Sequence, residues 1–186
     1  MVSTADFRSG MVLEIDGELM MIVEYQHVKP GKGGAFVRTK FKKVITGAVL
    51  ERTFRAGERF NEVRLERRNL QYLYNDGSHY YFMDISTYEQ FPFSPEVIGD
   101  QVKYLKENLE AQGVFQDEKV LGIELPFFIN LKVIETDPGV RGDTASGGGK
   151  PARLESGAVV TVPLFINIGD VVKVDRRTNQ YLERIS

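Results

Sequence analysis

Apolar and polar residues alternate along most of the chain at the two-residue period of strands rather than the 3.6-residue period of helices. Segments 11–15 and 19–25 alternate in this way around Asp16-Gly17, a dipeptide suited to a two-residue hairpin because its turn needs positive φ. A second hairpin pairs 21–28 with 35–43 across Lys29-Pro30-Gly31-Lys32-Gly33-Gly34, and a further strand is predicted over 48–54 after Thr46-Gly47. Short strands joined by tight turns over the first sixty or so residues predict a small barrel of SH3 type. Strands at 69–74 and 80–85 flank Asn75-Asp76-Gly77-Ser78, again hairpin chemistry. Val102, Leu105 and Leu109 fall at helical spacing and Gly113 follows, so the pattern predicts one helix over 98–111. Strands return at 119–125 and 127–135, which with that helix fits a barrel of OB type. A Gly-, Asp- and Ser-rich loop is expected over 136–150. Strands at 158–168, 171–175 and 181–185 then give a third small β barrel. The expectation is an all-β protein with one short helix and three barrels in tandem, divided as 1–64, 65–128 and 129–186. Each barrel has its own core, so the molecule is expected to be elongated and monomeric.

Composition narrows the function. The 186 residues contain no cysteine, which excludes disulfides and thiolate metal sites and fits a reducing cytoplasm. The N-terminus lacks a basic region followed by an apolar run, and no stretch nears the roughly 18 consecutive apolar residues of a membrane helix. A soluble cytoplasmic protein without a membrane partner is expected. The net charge of −2 argues against a general nucleic-acid coat. Its distribution says more. Residues 1–64 hold 11 Lys+Arg against 8 Asp+Glu, 65–128 hold 5 against 11, and 129–186 hold 8 against 7. An acidic middle between more basic ends suggests RNA contacts at the ends.

Enzymatic constellations are nearly absent. His27 and His79 are the two histidines, and neither has a metal-ligand spacing, so no metal or cofactor is expected. Gly31-Lys32-Gly33-Gly34 is not a P-loop, for it lacks the leading glycine five positions earlier and the Ser/Thr after the lysine. What this loop does offer is display. Pro30 fixes φ before the turn, and glycines on both sides of Lys32 let the chain reverse without crowding the lysine. Taken alone, the loop also reads as an ordinary hairpin turn with a solvated lysine. An amine nucleophile would need a desolvated lysine, which an exposed tip does not supply, so no enzyme is expected.

The segment Tyr25-Gln26-His27-Val28-Lys29-Pro30-Gly31-Lys32-Gly33-Gly34-Ala35-Phe36 resembles the tip of the elongation factor P family. Asn69-Leu70-Gln71-Tyr72-Leu73-Tyr74-Asn75-Asp76-Gly77 resembles the start of that family's middle domain. Thr136-Asp137-Pro138-Gly139-Val140-Arg141-Gly142-Asp143-Thr144 and Gly157-Ala158-Val159-Val160-Thr161-Val162-Pro163-Leu164-Phe165 resemble its C-terminal domain. The resemblance runs the length of the chain in order.

It implies an SH3-like (KOW-type) barrel followed by two OB folds in an L, and the bacterial branch, since the related factor of eukaryotes and archaea has two domains. It also implies a non-enzymatic translation factor that binds the ribosome between the peptidyl and exit tRNA sites and relieves stalling at consecutive prolines. By position, Lys32 is the tip residue that a dedicated enzyme often extends, with Pro30, Gly31, Gly33 and Gly34 as its loop. Gly34 stands where unmodified Pro-Gly-Lys-Gly-Pro tips carry proline, which leans towards modification. The resemblance further implies that Gly139, Arg141, Gly142, Asp143 and Thr144 approach mRNA at the exit-site codon. Tyr181 and Arg184 would lie near the P-site tRNA. Arg38, Lys40 and Lys42 alternate, so they share one strand face and could meet the acceptor stem. On sequence alone these positions also read as a plain barrel loop and solvated strand faces, and a generic RNA-binding OB module is the alternative function.

Overall fold

The computed structural model describes residues 1–139 and 148–186. They form three antiparallel sheets with a single turn of α-helix. By contacts the chain divides into two compact units, Met1–Arg67 with Val114–Leu121, and Arg68–Gly113 with Gly122–Ser186.

The first sheet contains β1 (Val2–Ser3), β2 (Val12–Ile15), β3 (Glu18–Val28), β4 (Phe36–Lys43), β5 (Val49–Arg55) and β6 (Arg59–Glu62), in the order β1-β6-β2-β3-β4-β5. The predicted Asp16-Gly17 turn joins β2 to β3, with Ile15 opposite Glu18 and both turn residues at positive φ, 54° and 79°. Alternation along β2, β3 and β4 sends Leu13, Met20, Ile22, Val37 and Phe41 into a core closed by Phe7 and Phe54. Burying each such side chain contributes about 1.5–3 kcal/mol. The short strands β1 and β6 lie outside the sequence reading; two and four residues are too few to show a period.

The second sheet contains β7 (Glu66–Asn75), β8 (Tyr80–Asp84), β9 (Gln90–Phe93), β10 (Glu110–Gln116) and β11 (Lys119–Glu124), ordered β11-β10-β7-β8-β9. Between β9 and β10 lie α1 (Pro95–Ile98) and a 3-10 turn over Gly99–Tyr104. The helix predicted over 98–111 is therefore corrected. Gly99 leaves α1 at φ 59°, Leu105 is extended, and Asn108 sits at φ 67°. The amide of Asn108 donates to the Tyr72 carbonyl (2.9 Å) and the Tyr72 amide donates to that of Leu109 (2.8 Å). Sheet pairing has captured residues whose spacing suits a helix, and Val102 of the supposed apolar stripe is exposed.

The third sheet contains β12 (Phe128–Thr136), β13 (Gly149–Leu154), β14 (Val159–Pro163), β15 (Val171–Asp175) and β16 (Gln180–Arg184), ordered β14-β13-β12-β15-β16. Ile129, Leu131 and Val133 of β12 point inward against Leu154, Val160, Val162, Val172 and Val174. Strand β14 stops at Pro163, so the strand predicted over 158–168 is five residues too long at its end. Strand β13 takes the last two residues of the loop expected over 136–150 and four more to which the sequence reading assigned no element.

Candidate functional site: a displayed lysine and cationic faces

Strands β3 and β4 form a ribbon whose register runs from Met20↔Lys43 to Val28↔Phe36, and β5 pairs along β4 as far as Phe36↔Arg55. The seven residues 29–35 close it. Lys32, Gly31, Gly33 and Gly34 are all exposed, and Pro30 is half-buried. Gly33 has φ 102°, a conformation that side chains rarely adopt, so the reversal depends on glycine there. Apart from the adjoining residues, no atom lies within 4 Å of where a Cβ would stand on Gly31, Gly33 or Gly34. The lysine thus sits at the end of a paired ribbon with open space around its neighbours.

Arg38, Lys40 and Lys42 are exposed on one face of β4, as their alternation predicts, while Val37, Thr39 and Phe41 are buried on the other. The face is not purely cationic. Arg38 Nε lies 3.6 Å from Glu51 Oε1, and Lys40 stands between Glu24 and Glu51 in register. Such exposed pairs contribute little and yield readily to a phosphate partner.

In the second unit, Arg184 holds its guanidinium 5.5 Å from the Phe165 ring and 4.0 Å from an Asp170 carboxylate oxygen. Gly139 packs so closely that a Cβ would lie 2.3 Å from the Leu164 carbonyl oxygen. Adjacent residues Leu164 and Phe165 therefore bring Gly139 and Arg184 to the same turn. Tyr181, half-buried, pairs with Val174 and lines an open cleft with Pro151, Val159 and Asn179. Arg141, Gly142, Asp143 and Thr144 lie outside the described residues.

Sequence reasoning missed Arg176 and Arg177. The Arg176 side chain donates from Nε and Nη2 to the Leu125 carbonyl (3.0 and 2.8 Å) and from Nε to that of Pro126 (2.9 Å). Burial pushes its pKa down. Arg177 chelates the Asp175 carboxylate at 3.1 and 2.9 Å and stacks 4.4 Å from Phe127, and its hydrogen bond holds that carboxyl below the usual carboxylate range. The only signal was an Arg-Arg pair after a strand, which carries no partner information. Among the described residues, no group of three or more His, Cys, Asp and Glu could hold a metal, and no helix is long and apolar enough to cross a membrane.

Three family models match the chain in order: the elongation factor P KOW-like domain over residues 3–60, the elongation factor P OB domain over 65–123, and the elongation factor P C-terminal domain over 123–184. The chain is 54% identical over 185 residues to an elongation factor P of Carboxydothermus hydrogenoformans, spanning all of both chains. It is 56% identical over 184 residues to that of Moorella thermoacetica, spanning 99% of this chain and 100% of that one. Among solved structures, a translation initiation factor eIF-5A family protein from Naegleria fowleri matches with a TM-score of 0.53 at 14% identity, covering 67% of this chain and 96% of its own. That likeness is one of fold.

Proposed function

The chain belongs to the elongation factor P family of translation elongation factors, and from that premise we propose that it binds the ribosome between the peptidyl and exit tRNA sites and relieves stalling at consecutive prolines by positioning the peptidyl-tRNA through Lys32. The observation that carries this reading is the lysine held at the end of the β3–β4 ribbon, flanked by glycines with open space beside them. A solvated ammonium has three donors and no acceptor, so it engages phosphate and 2′-hydroxyl oxygens and takes no proton. Its contribution is orientation. Proline reacts poorly in peptide transfer because its nitrogen is in a ring and its φ is fixed. A chain ending in proline rests in unproductive poses, and holding the reacting groups together lowers the barrier without chemistry from the protein.

The remaining assignments follow the same reading. The segments 1–64, 65–128 and 129–186 act as tip, middle and base of a monomer. Arg38, Lys40 and Lys42 face the acceptor stem. Tyr181 and Arg184 face the body of the P-site tRNA, and residues 139–144 approach the mRNA at the exit-site codon. Lys32 is the substrate of a dedicated modifying enzyme. The test is translation of a reporter with three consecutive prolines beside a proline-free control, with and without the protein. Selective rescue of the proline reporter is expected. Equal stimulation of both, or tight binding to free RNA, would replace this reading with that of a generic RNA-binding module.

A further inference from the structure

Arg176 and Arg177 follow directly on β15, and the fold brings both guanidiniums to one aromatic ring, 5.4 and 4.4 Å from the centroid of Phe127. With Lys103, Asp100, Thr178 and Asn179 they line an open cleft of about 330 Å³ in the second compact unit. That is roughly the space of ten water molecules, so an anion can enter with part of its hydration. Three cations meet here although residues 65–128, which supply Lys103, hold 5 Lys+Arg against 11 Asp+Glu. Counter-charge is scarce. The Asp175 carboxylate is buried and committed to Arg177 Nε and Nη2, which leaves Asp100 as the exposed carboxylate among the described lining residues. Arg176 Nε and Nη2 are taken up by the Leu125 and Pro126 carbonyls. Nη1 of each guanidinium bonds to no described residue. Both arginines are held by their bonds and by the ring before any ligand arrives, so an anion has little side chain to order.

The neighbouring cleft identifies the anion. Asn179 lines this cleft and also the one that holds Tyr181, so the two openings adjoin. Asn179 is a fixed divider between them. At φ 56° it accepts from the Tyr104 hydroxyl at Oδ1 (2.7 Å) and donates from Nδ2 to the Val159 carbonyl (2.9 Å). An aromatic hydroxyl followed by a cationic cleft suits a nucleic-acid strand, in which sugars and bases alternate with phosphates.

We propose that the cleft lined by Lys103, Arg176 and Arg177 binds backbone phosphate of the P-site tRNA, continuing the contact made at Tyr181. This rests on the reading that Tyr181 faces that tRNA.

The experiment uses the full chain and ribosomes carrying a phosphorothioate-substituted P-site tRNA, which iodine cleaves wherever the protein leaves the backbone uncovered. Thermal melting is recorded alongside. Thr178→Glu places a carboxylate in the cleft at an exposed position and leaves the arginine bonds in place. Lys103→Gln removes an exposed cation whose contact is the Tyr104 ring at 5.4 Å. Wild type is expected to protect two adjoining groups of tRNA phosphates. Thr178→Glu is expected to lose one group and to bind about tenfold more weakly, because a like charge now faces the phosphate. Tyr181→Ala is expected to lose the other group. Lys103→Gln is expected to weaken the first group and to lower the slope of log affinity against log salt by about one. Full protection in both cleft variants overturns the proposal, whatever happens to affinity. Weaker binding with every tRNA phosphate still covered would assign the cleft to ribosomal RNA or protein. A wild type that protects no tRNA phosphate overturns the reading of Tyr181 and the proposal with it. Protection lost only in Tyr181→Ala leaves that reading standing and removes the cleft alone. Should Thr178→Glu melt well below wild type, the footprint of Lys103→Gln decides.

Discussion

Replacing Lys32 by alanine separates display from architecture. Lys32 is exposed, and apart from adjoining residues no atom lies within 4 Å of the Cβ positions of the glycines beside it. The ribbon is held by the ladder from Met20↔Lys43 to Val28↔Phe36, which ends before the tip. The substitution should therefore change stability by less than about 0.5 kcal/mol, and the melting temperature by less than about 2 °C. Its functional cost is of another size. One ammonium on a phosphate oxygen contributes about 1.5–3 kcal/mol, which is roughly a 10- to 150-fold change in the rate of a prolyl step. That is well below the ~7–11 kcal/mol that full orientation can contribute, so the variant should still dock and still stimulate feebly. The assay is the three-proline reporter with its proline-free control, read beside a melting curve. Lys32→Arg isolates the modification, because it keeps the charge and removes the amine that an enzyme would extend. Full rescue by Lys32→Ala refutes positioning by the tip, and full rescue by Lys32→Arg refutes only the need for an extension. A large melting shift would refute the claim that the tip is free of structural duty.

Arg176→Ala should cost about 2 kcal/mol and lower the melting temperature by several degrees, because it removes donors to the Leu125 and Pro126 carbonyls and a ring contact with Phe127; an unchanged melt would show those bonds to be idle. Asp76 accepts from the amides of Ser78 and His79 at 2.9 and 2.8 Å and from the Tyr81 hydroxyl at 2.9 Å, and these bonds, the Ser78 amide foremost, hold its pKa far below the ordinary carboxylate range. A depressed folded pKa gives stability that is present above the unfolded value of about 3.9 and is lost as pH falls towards the folded one. Asp76→Asn should thus melt below wild type at neutral pH, with the gap closing in acid; a gap that persists at low pH would contradict the assignment. Lys40→Gln combined with Lys42→Gln should flatten the salt dependence of ribosome binding, with the deficit greatest at low salt, and an unaltered slope would take that face out of the contact. Arg184→Ala should weaken the same binding without moving the melt by more than about 1 °C, since Phe165 is exposed and the pair with half-buried Asp170 is a long 4.0 Å.

The legible parts of the fold were those where one face of a long strand is buried. Strand β4 alternates along its eight residues and β12 from Phe128 to Val133, and turns such as Asp16-Gly17 carry their conformation in two residues. The failures have a common cause in pairing that local pattern does not contain. Strand β10, beside β7, takes residues 110 and 111 from the predicted helix, and Tyr72 of β7 bonds to Asn108 and Leu109 just before them; a sequence window around 105 has no knowledge of residue 72. Strand β13 was unreadable because its inward slots begin with a lysine and its outward ones include Pro151. Lys32 was legible because its glycines speak for the turn by themselves. Gly139 was named as approaching mRNA, a different role from the packing seen here, whose cause, Leu164, lies 25 residues further on.

The tip also shows why an exposed lysine needs so much sheet behind it. A seven-residue loop on its own would sample many conformations, and ordering each residue costs about 1–2 kcal/mol of backbone entropy. The ladder removes most of that freedom before the ribosome is met. Ile22 and Phe41 root the ribbon in the core, Val37 is fully buried closer to the tip, and β5 follows β4 to Phe36, so the strand beside the loop is paired on both edges. On β3 the side chains of Tyr25 and His27 are exposed although they stand opposite buried Thr39 and Val37, and their rings meet edge to face at 5.7 Å. Backbone pairing on both edges of β4, the buried Val37 and the Tyr25–His27 ring contact together carry the ribbon outward. The freedom left is confined to 29–35, where the glycines place it. A lysine on a fully flexible arm would lose on binding what its contact gains, whereas a lysine on a paired ribbon arrives with its position largely decided.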